Sequence, residues 1–108
     1  MDRQQQAAFL GEVHDRSSLL LDAYVTLIEN YDADEDFAAI VTQAQKAGLG
    51  KEELLAAFPC SWSTILRWAA GQVRPARVAR PAIKDKLIAM LRHKGSEHRV
   101  EARQLEAA

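Results

Sequence analysis

Apolar side chains in this chain return every three or four positions, and nowhere do they alternate singly with polar ones over the length of a strand. That period belongs to a helix, because 3.6 residues per turn bring positions i, i+3, i+4 and i+7 onto one face. Between Phe9 and Tyr31 the stripe runs Phe9, Val13, Leu20, Tyr24, Leu27 and Tyr31, and Leu21, Val25 and Ile28 widen it. It is densest over 17–30, where Asp15 is placed as a cap; spacing alone leaves open whether 4–30 is one helix or two. An acidic break at 30–34 follows, with Asp34 positioned to cap the next helix. That helix is expected over about 36–47, with Phe37, Ile40, Val41 and Ala44 inward and Gly48 as its stop. A short helix over 51–58 turns Leu54, Leu55 and Phe58 inward, and Pro59 ends it, since proline lacks an N–H and disfavours helical geometry in the residue before it. Ser61 caps a further helix over 62–70, ahead of Gly71. After a loop at 72–75, Pro81 suits the first turn of a last helix over 81–93, with Ile83, Leu87, Ile88 and Leu91 inward. Beyond Gly95 the chain is polar, although Val100, Arg103 and Gln104 leave room for nascent helix. The pattern predicts an all-α fold of five to six helices: an N-terminal helical extension over 1–33, a domain over 34–94 and a polar tail over 95–108.

Composition alters this picture little. With 108 residues, 48% hydrophobic and 27% charged, the chain suits one small domain whose core needs no metal or disulfide. No apolar run approaches the ~20 residues of a membrane span. The first six residues lack a basic region followed by an apolar stretch, so no signal peptide is expected. The single cysteine, Cys60, rules out an intrachain disulfide and a cysteine-rich zinc site, and a cytoplasmic protein is expected. Charge is more informative. Residues 1–36 hold nine acidic side chains against two arginines, net −7, whereas 37–108 hold twelve basic against six acidic, net +6. Within 60–95 eight basic residues (Arg67, Arg74, Arg77, Arg80, Lys84, Lys86, Arg92, Lys94) face one acid, Asp85. Such polarity fits a face for a polyanion, and equally a solvated basic surface with no partner.

The most specific stretch is residues 50–75. Two short helices joined by Pro59, Cys60 and Ser61 must cross steeply, and the second then stands free enough to enter a DNA major groove. Ile65 and Trp68 share its inner face, to pack under Leu54 and Phe58, while Trp62, Ser63, Leu66 and Arg67 lie opposite. Leu49, Glu52, Glu53, Leu54 and Phe58, followed by the tighter run Ser61, Ser63, Thr64, Ile65, Arg67, Trp68, Gly71 and Pro75, resemble the lambda-repressor-like, Cro-type helix-turn-helix DNA-binding domain. The resemblance covers about residues 34–94. Three residues depart from the pattern: Pro59 stands at the turn glycine, Leu55 at a small alanine, and Lys51 at a glutamine. A proline cannot adopt positive φ, so the turn must follow another path, and Leu55 should widen the contact between the helices.

The resemblance implies base contacts from Trp62, Ser63, Leu66 and Arg67, with the Arg67 fork matched to guanine O6 and N7. It implies phosphate contacts from Lys51, Ser61, Gln72, Arg74, Arg77 and Arg80, which fix register without reading sequence. Members of the family usually dimerise, and the expected seam here is Leu20, Tyr24, Leu27 and Tyr31 within 9–31.

Each feature also has a plainer reading. Arg67 at helical spacing is free to pair with Glu52 or Glu53 instead, and Trp62 to fold back on its own domain. Cys60 is a small apolar turn residue unless a base lies beside it. His14, His93 and His98 have no metal spacing, and the acids at 32–36 lack the glycine and terminal glutamate of a calcium loop, so helix capping explains them better. No glycine-rich phosphate loop, paired catalytic carboxylates or nucleophile elbow occurs, so neither an enzyme nor a metal or other cofactor is expected. The expected function is sequence-specific binding of double-stranded DNA as a transcriptional regulator, as a homodimer. The alternatives are an antitoxin or adaptor module that binds a protein through the acidic N-terminal helix, and a phage DNA-packaging or assembly subunit.

Overall fold

The computed structural model describes residues 19–107, with side chains through Glu97. Within them α1 spans 19–29, α2 Phe37–Lys46, α3 Lys51–Ala57, α4 Trp62–Ala69 and α5 Arg80–Ala107, and a single 3-10 turn, Arg77–Ala79, leads into α5. The fold is all-α with five helices and no strand among the described residues. Phe9, Val13 and the capping role given to Asp15 lie outside them.

The ends of α2 and α4 follow from one residue type. Gly48 and Gly71 take φ of +115° and +73°, which side chains disfavour sterically, and both close the same double-bonded cap. At α2 the Gly48 N–H reaches Gln45 O (3.0 Å) and the Leu49 N–H reaches Ala44 O (3.2 Å). At α4 the Gly71 N–H reaches Trp68 O (3.1 Å) and the Gln72 N–H reaches Arg67 O (2.9 Å). The connection from α3 to α4 takes the other path that Pro59 requires: Phe58 is extended (φ −124°, ψ 130°), and no non-glycine residue among those described has positive φ. Ser61 then caps α4, its hydroxyl accepting from the Thr64 N–H at 3.3 Å.

Three expectations need correction. The last helix does not end at 93 but continues to Ala107 through Gly95, which keeps helical angles and is buried, and the i,i+4 contact of His93 with Glu97 (3.0 Å) spans it. Asp34 does not cap α2. Asp32 organises that turn, accepting from the N–H groups of Asp34 and Glu35 (2.8 Å each), while Asp36 Oδ2 accepts from the Asp32 N–H (2.9 Å). On α1 the side chains that only widened the stripe form the buried face: Leu21, Val25 and Ile28 join the core, whereas Leu20 and Leu27 are 59% and 39% exposed.

Trp68 stands at the centre of the core, edge-on to Phe37 (5.7 Å between centroids) and to Phe58 (6.2 Å), so α2, α3 and α4 meet on one indole. Ile65, Leu54, Ile40 and Leu87, all essentially inaccessible, surround this contact, and each contributes about 1.5–3 kcal/mol by leaving water. α5 fastens the bundle from outside by a second means. Lys84 Nζ donates to Tyr31 O (2.6 Å) and Glu29 O (3.1 Å) at the end of α1, Lys86 Nζ to Ala57 O (2.6 Å) at the end of α3, and Lys94 Nζ to Gly48 O (2.8 Å) just after α2. Each ammonium thus meets a carbonyl end, where backbone dipoles favour positive charge.

Candidate nucleic-acid interface

α4 is anchored by Ile65 and Trp68 (1% and 9% exposed), and at its C-terminal end by the Thr42 hydroxyl, which donates to Ala69 O at 3.2 Å. Its outer face carries Ser63, Leu66 and Arg67, all exposed, and the next residues continue that surface with Gln72, Val73 and Arg74. Trp62 leaves this face. It is half-buried against the core, corrected from the outward position the family pattern implied, because its large ring finds apolar partners there. Ser61 is committed to capping: besides the Thr64 N–H, its hydroxyl lies 3.0 Å from both Ser63 Oγ and Thr64 Oγ1.

The basic residues sort into two groups. Glu53, one of the partners open to Arg67, instead pairs with Lys94 (3.0 Å), and the Arg67 side chain makes no hydrogen bond or ion pair among the described residues. Every other basic side chain between 60 and 95 has a partner. Lys84, Lys86 and Lys94 hold the carbonyl ends described above, and Arg92 pairs with Glu29. Arg77 Nε meets Asp34 Oδ2 at 2.8 Å, Arg80 meets Asp34 Oδ1 at 3.4 Å and donates from Nε to Pro75 O at 3.0 Å, and Arg74 donates to the Asp34 carbonyl at 3.4 Å. Most of the basic excess therefore serves the fold. Arg80 is largely enclosed, at 16% side-chain exposure, whereas Arg77 remains open to solvent at 81%. Lys51, in the first turn of α3, is exposed and unpaired among the described residues.

The expected seam divides. Leu20 and Leu27 are exposed on α1's outer face and Tyr24 is half-exposed beside them, but Tyr31 packs on the domain's own core, since it lies past the end of α1 where the chain bends toward α2. Cys60 is half-buried, and burial pushes its thiol up from the ordinary value, which keeps it protonated and a weak nucleophile. Among the described residues no group of three His, Cys, Asp or Glu side chains is placed to hold a metal ion, and no helix is long and apolar enough to cross a membrane.

Asp34 is the residue that sequence reasoning misplaced. Its arginine partners lie 40 or more positions away, and the only hint was an acidic turn and an arginine-rich loop in one small domain. Val78, 90% exposed between Arg77 and Arg80, was also passed over, because a lone valine in a loop carries no periodicity. No family model, no curated protein and no solved structure matches the chain.

Proposed function

We propose that this protein binds double-stranded DNA in a sequence-specific way as a transcriptional regulator, with α4 entering the major groove. The observation that carries the reading is Arg67: it alone among the eight basic residues of 60–95 has no partner among the described residues, and it sits on the exposed face of a helix whose opposite face is locked into the core. An unpaired guanidinium on a rigid helix suits bidentate contact with guanine, since no partner has to be displaced and the planar fork loses little freedom per bond formed. Ser63 and Leu66 flank it for a hydroxyl contact and a thymine methyl, and the exposed Lys51, Gln72 and Arg74 are available to meet phosphates.

Three outward side chains specify few base pairs, so two copies reading two half-sites fit better than one. Leu20, Tyr24 and Leu27, spaced four and three apart on the outside of α1, supply the seam for a second copy. The same exposed leucines favour the second reading, a protein-interaction module in which α1 takes a different partner.

A salt-titrated mobility-shift series with random and selected duplexes separates the two. The regulator reading expects binding that weakens steeply with salt, and a loss of about 1–3 kcal/mol on the preferred site in Arg67→Ala with unchanged thermal stability. Absence of binding at low salt, or selectivity that survives Arg67→Ala, removes the regulator reading and leaves the interaction module.

A further inference from the structure

Arg74, Arg77 and Arg80 converge on one residue, Asp34, through its two carboxylate oxygens and its carbonyl. Two guanidinium groups, those of Arg77 and Arg80, meet its carboxylate, and the third, Arg74, meets its carbonyl. Asp32, Glu35 and Asp36 keep their negative charges nearby, and Asp32 favours the Arg77 cation, but none of the three bonds an arginine: Asp32 accepts from the N–H groups of Asp34 and Glu35, and Asp36 from the N–H of Asp32. The cluster adjoins the C-terminal end of α4, because Gly71 lies against Ala38 of α2 (a Cβ there would stand 3.7 Å from the Ala38 Cβ) and Arg74 follows three residues later. Arg80, enclosed and bonded to Pro75 O, holds its end in place, whereas Arg77 is open to solvent and Arg74 touches Asp34 only at 3.4 Å.

A carboxylate between guanidinium forks has the charge and planar acceptor geometry of a phosphodiester oxygen pair. We infer that Arg74 and Arg77 form a phosphodiester-binding site that Asp34 fills in the free protein, so that Asp34 sets how strongly the protein holds DNA of any sequence. This inference rests on the DNA-binding reading above and deepens it. While Asp34 is present its carboxylate already answers the Arg77 charge, so the phosphate there is not neutralised and releases no condensed cation. Arg77 therefore adds almost nothing to the salt dependence of the natural protein. Without the carboxylate it adds its full share, about 0.9 in the slope of log affinity against log salt.

The test is a mutant cycle on the full chain, read by salt-titrated binding to a random duplex, with a thermal melt of each variant. Asp34→Asn should bind the random duplex more tightly, steepen the slope by about one, and lose roughly three- to fourfold more affinity than wild type between 50 and 200 mM salt. Glu35→Gln, an equal charge change on an exposed neighbour with no arginine partner, should do neither. Arg77→Gln should leave the slope unchanged in the natural background and lower it by about one in the Asp34→Asn background. Since Arg77 is 81% exposed, that substitution does not depend on refolding of the turn. The inference is overturned if Asp34→Asn matches wild type, if Glu35→Gln raises binding equally, or if Arg77→Gln flattens the natural protein's slope. Should neither wild type nor Asp34→Asn bind at low salt, the DNA-binding reading falls as well, a result distinct from the first three.

Discussion

Replacing Lys86 with Met should destabilise the fold while sparing the proposed DNA surface. The C-terminal end of α3 has no glycine cap, because Pro59 forces Phe58 into extended geometry, and the Ala57 carbonyl relies on the Lys86 ammonium at 2.6 Å. The same ammonium stands 5.3 Å from the centre of the Phe58 ring. A hydrogen bond to a charged group is worth about 1.5–3 kcal/mol when shielded, a cation at a helix end about 0.3–1, and an exposed cation–π contact about 0.5–1. Lys86 is exposed and the three effects share one ammonium, so water and non-additivity reduce the total to about 1–2 kcal/mol. Methionine keeps most of the apolar stem, which confines the loss to the charge. For a domain near this size the melting temperature should fall by roughly 5–12 °C, followed by far-UV circular dichroism, with Lys86→Arg recovering most of it. The salt slope of the proposed DNA binding should not move. A midpoint within about 2 °C of wild type, or a flattened salt slope with intact stability, would refute the assignment of this lysine to the fold and return it to the polyanion surface.

Further outcomes follow from the same geometry. Gly71→Ala should cost about 1–2 kcal/mol in urea unfolding, from its φ of +73° alone, since a Cβ there meets only ordinary contact at 3.7 Å; an unchanged midpoint would refute the strain argument. Leu20→Asp should leave the unfolding midpoint in place, because the side chain is 59% exposed, and should shift the proposed dimer toward monomer in sedimentation equilibrium; a variant that sediments as wild type does would remove α1 as the seam. Hydrogen bonds from the Glu35 and Asp34 N–H groups hold the Asp32 carboxyl below its ordinary range. A lowered folded-state pKa gives stability that is fully present above the unfolded value of about 4 and lost as pH falls through the folded one. The advantage of wild type over Asp32→Asn should therefore shrink below about pH 4, and a pH-independent difference would show that charge is not its source. Cys60, with its thiol pushed up by burial, should react with a maleimide much more slowly in the folded protein than in urea.

The boundaries of α2, α3 and α4 were legible to within a residue or two because each is marked by a residue with one conformational job: Gly48, Pro59, Ser61 and Gly71. Gly95 shows the limit of that logic, since a glycine ends a helix only where the backbone turns left-handed, and here it does not. On α1 the run from Leu19 to Ile28 is apolar nearly all round, so periodicity offered two faces and the core chose Leu21, Val25 and Ile28. The outward position of Ser63, Leu66 and Arg67 was readable from their spacing against Ile65 and Trp68. The fate of the other charges was not. A lysine that meets a backbone carbonyl has no complementary side chain to betray it, so Lys84, Lys86 and Lys94 read as a polyanion surface when they are fasteners.

Those fasteners also set an order of events during synthesis. The lysines of α5 reach back 29 positions to Ala57, 46 to Gly48 and 53 to Tyr31, so the three earlier helices emerge from the ribosome with their carbonyl ends still hydrated. Local turns are able to form early, but the tie that joins them arrives last, and such distant pairings are the slow part of any folding reaction. A nascent chain halted short of α5 should be open to proteases, and should become resistant in one step once that final rod is free to close over its predecessors.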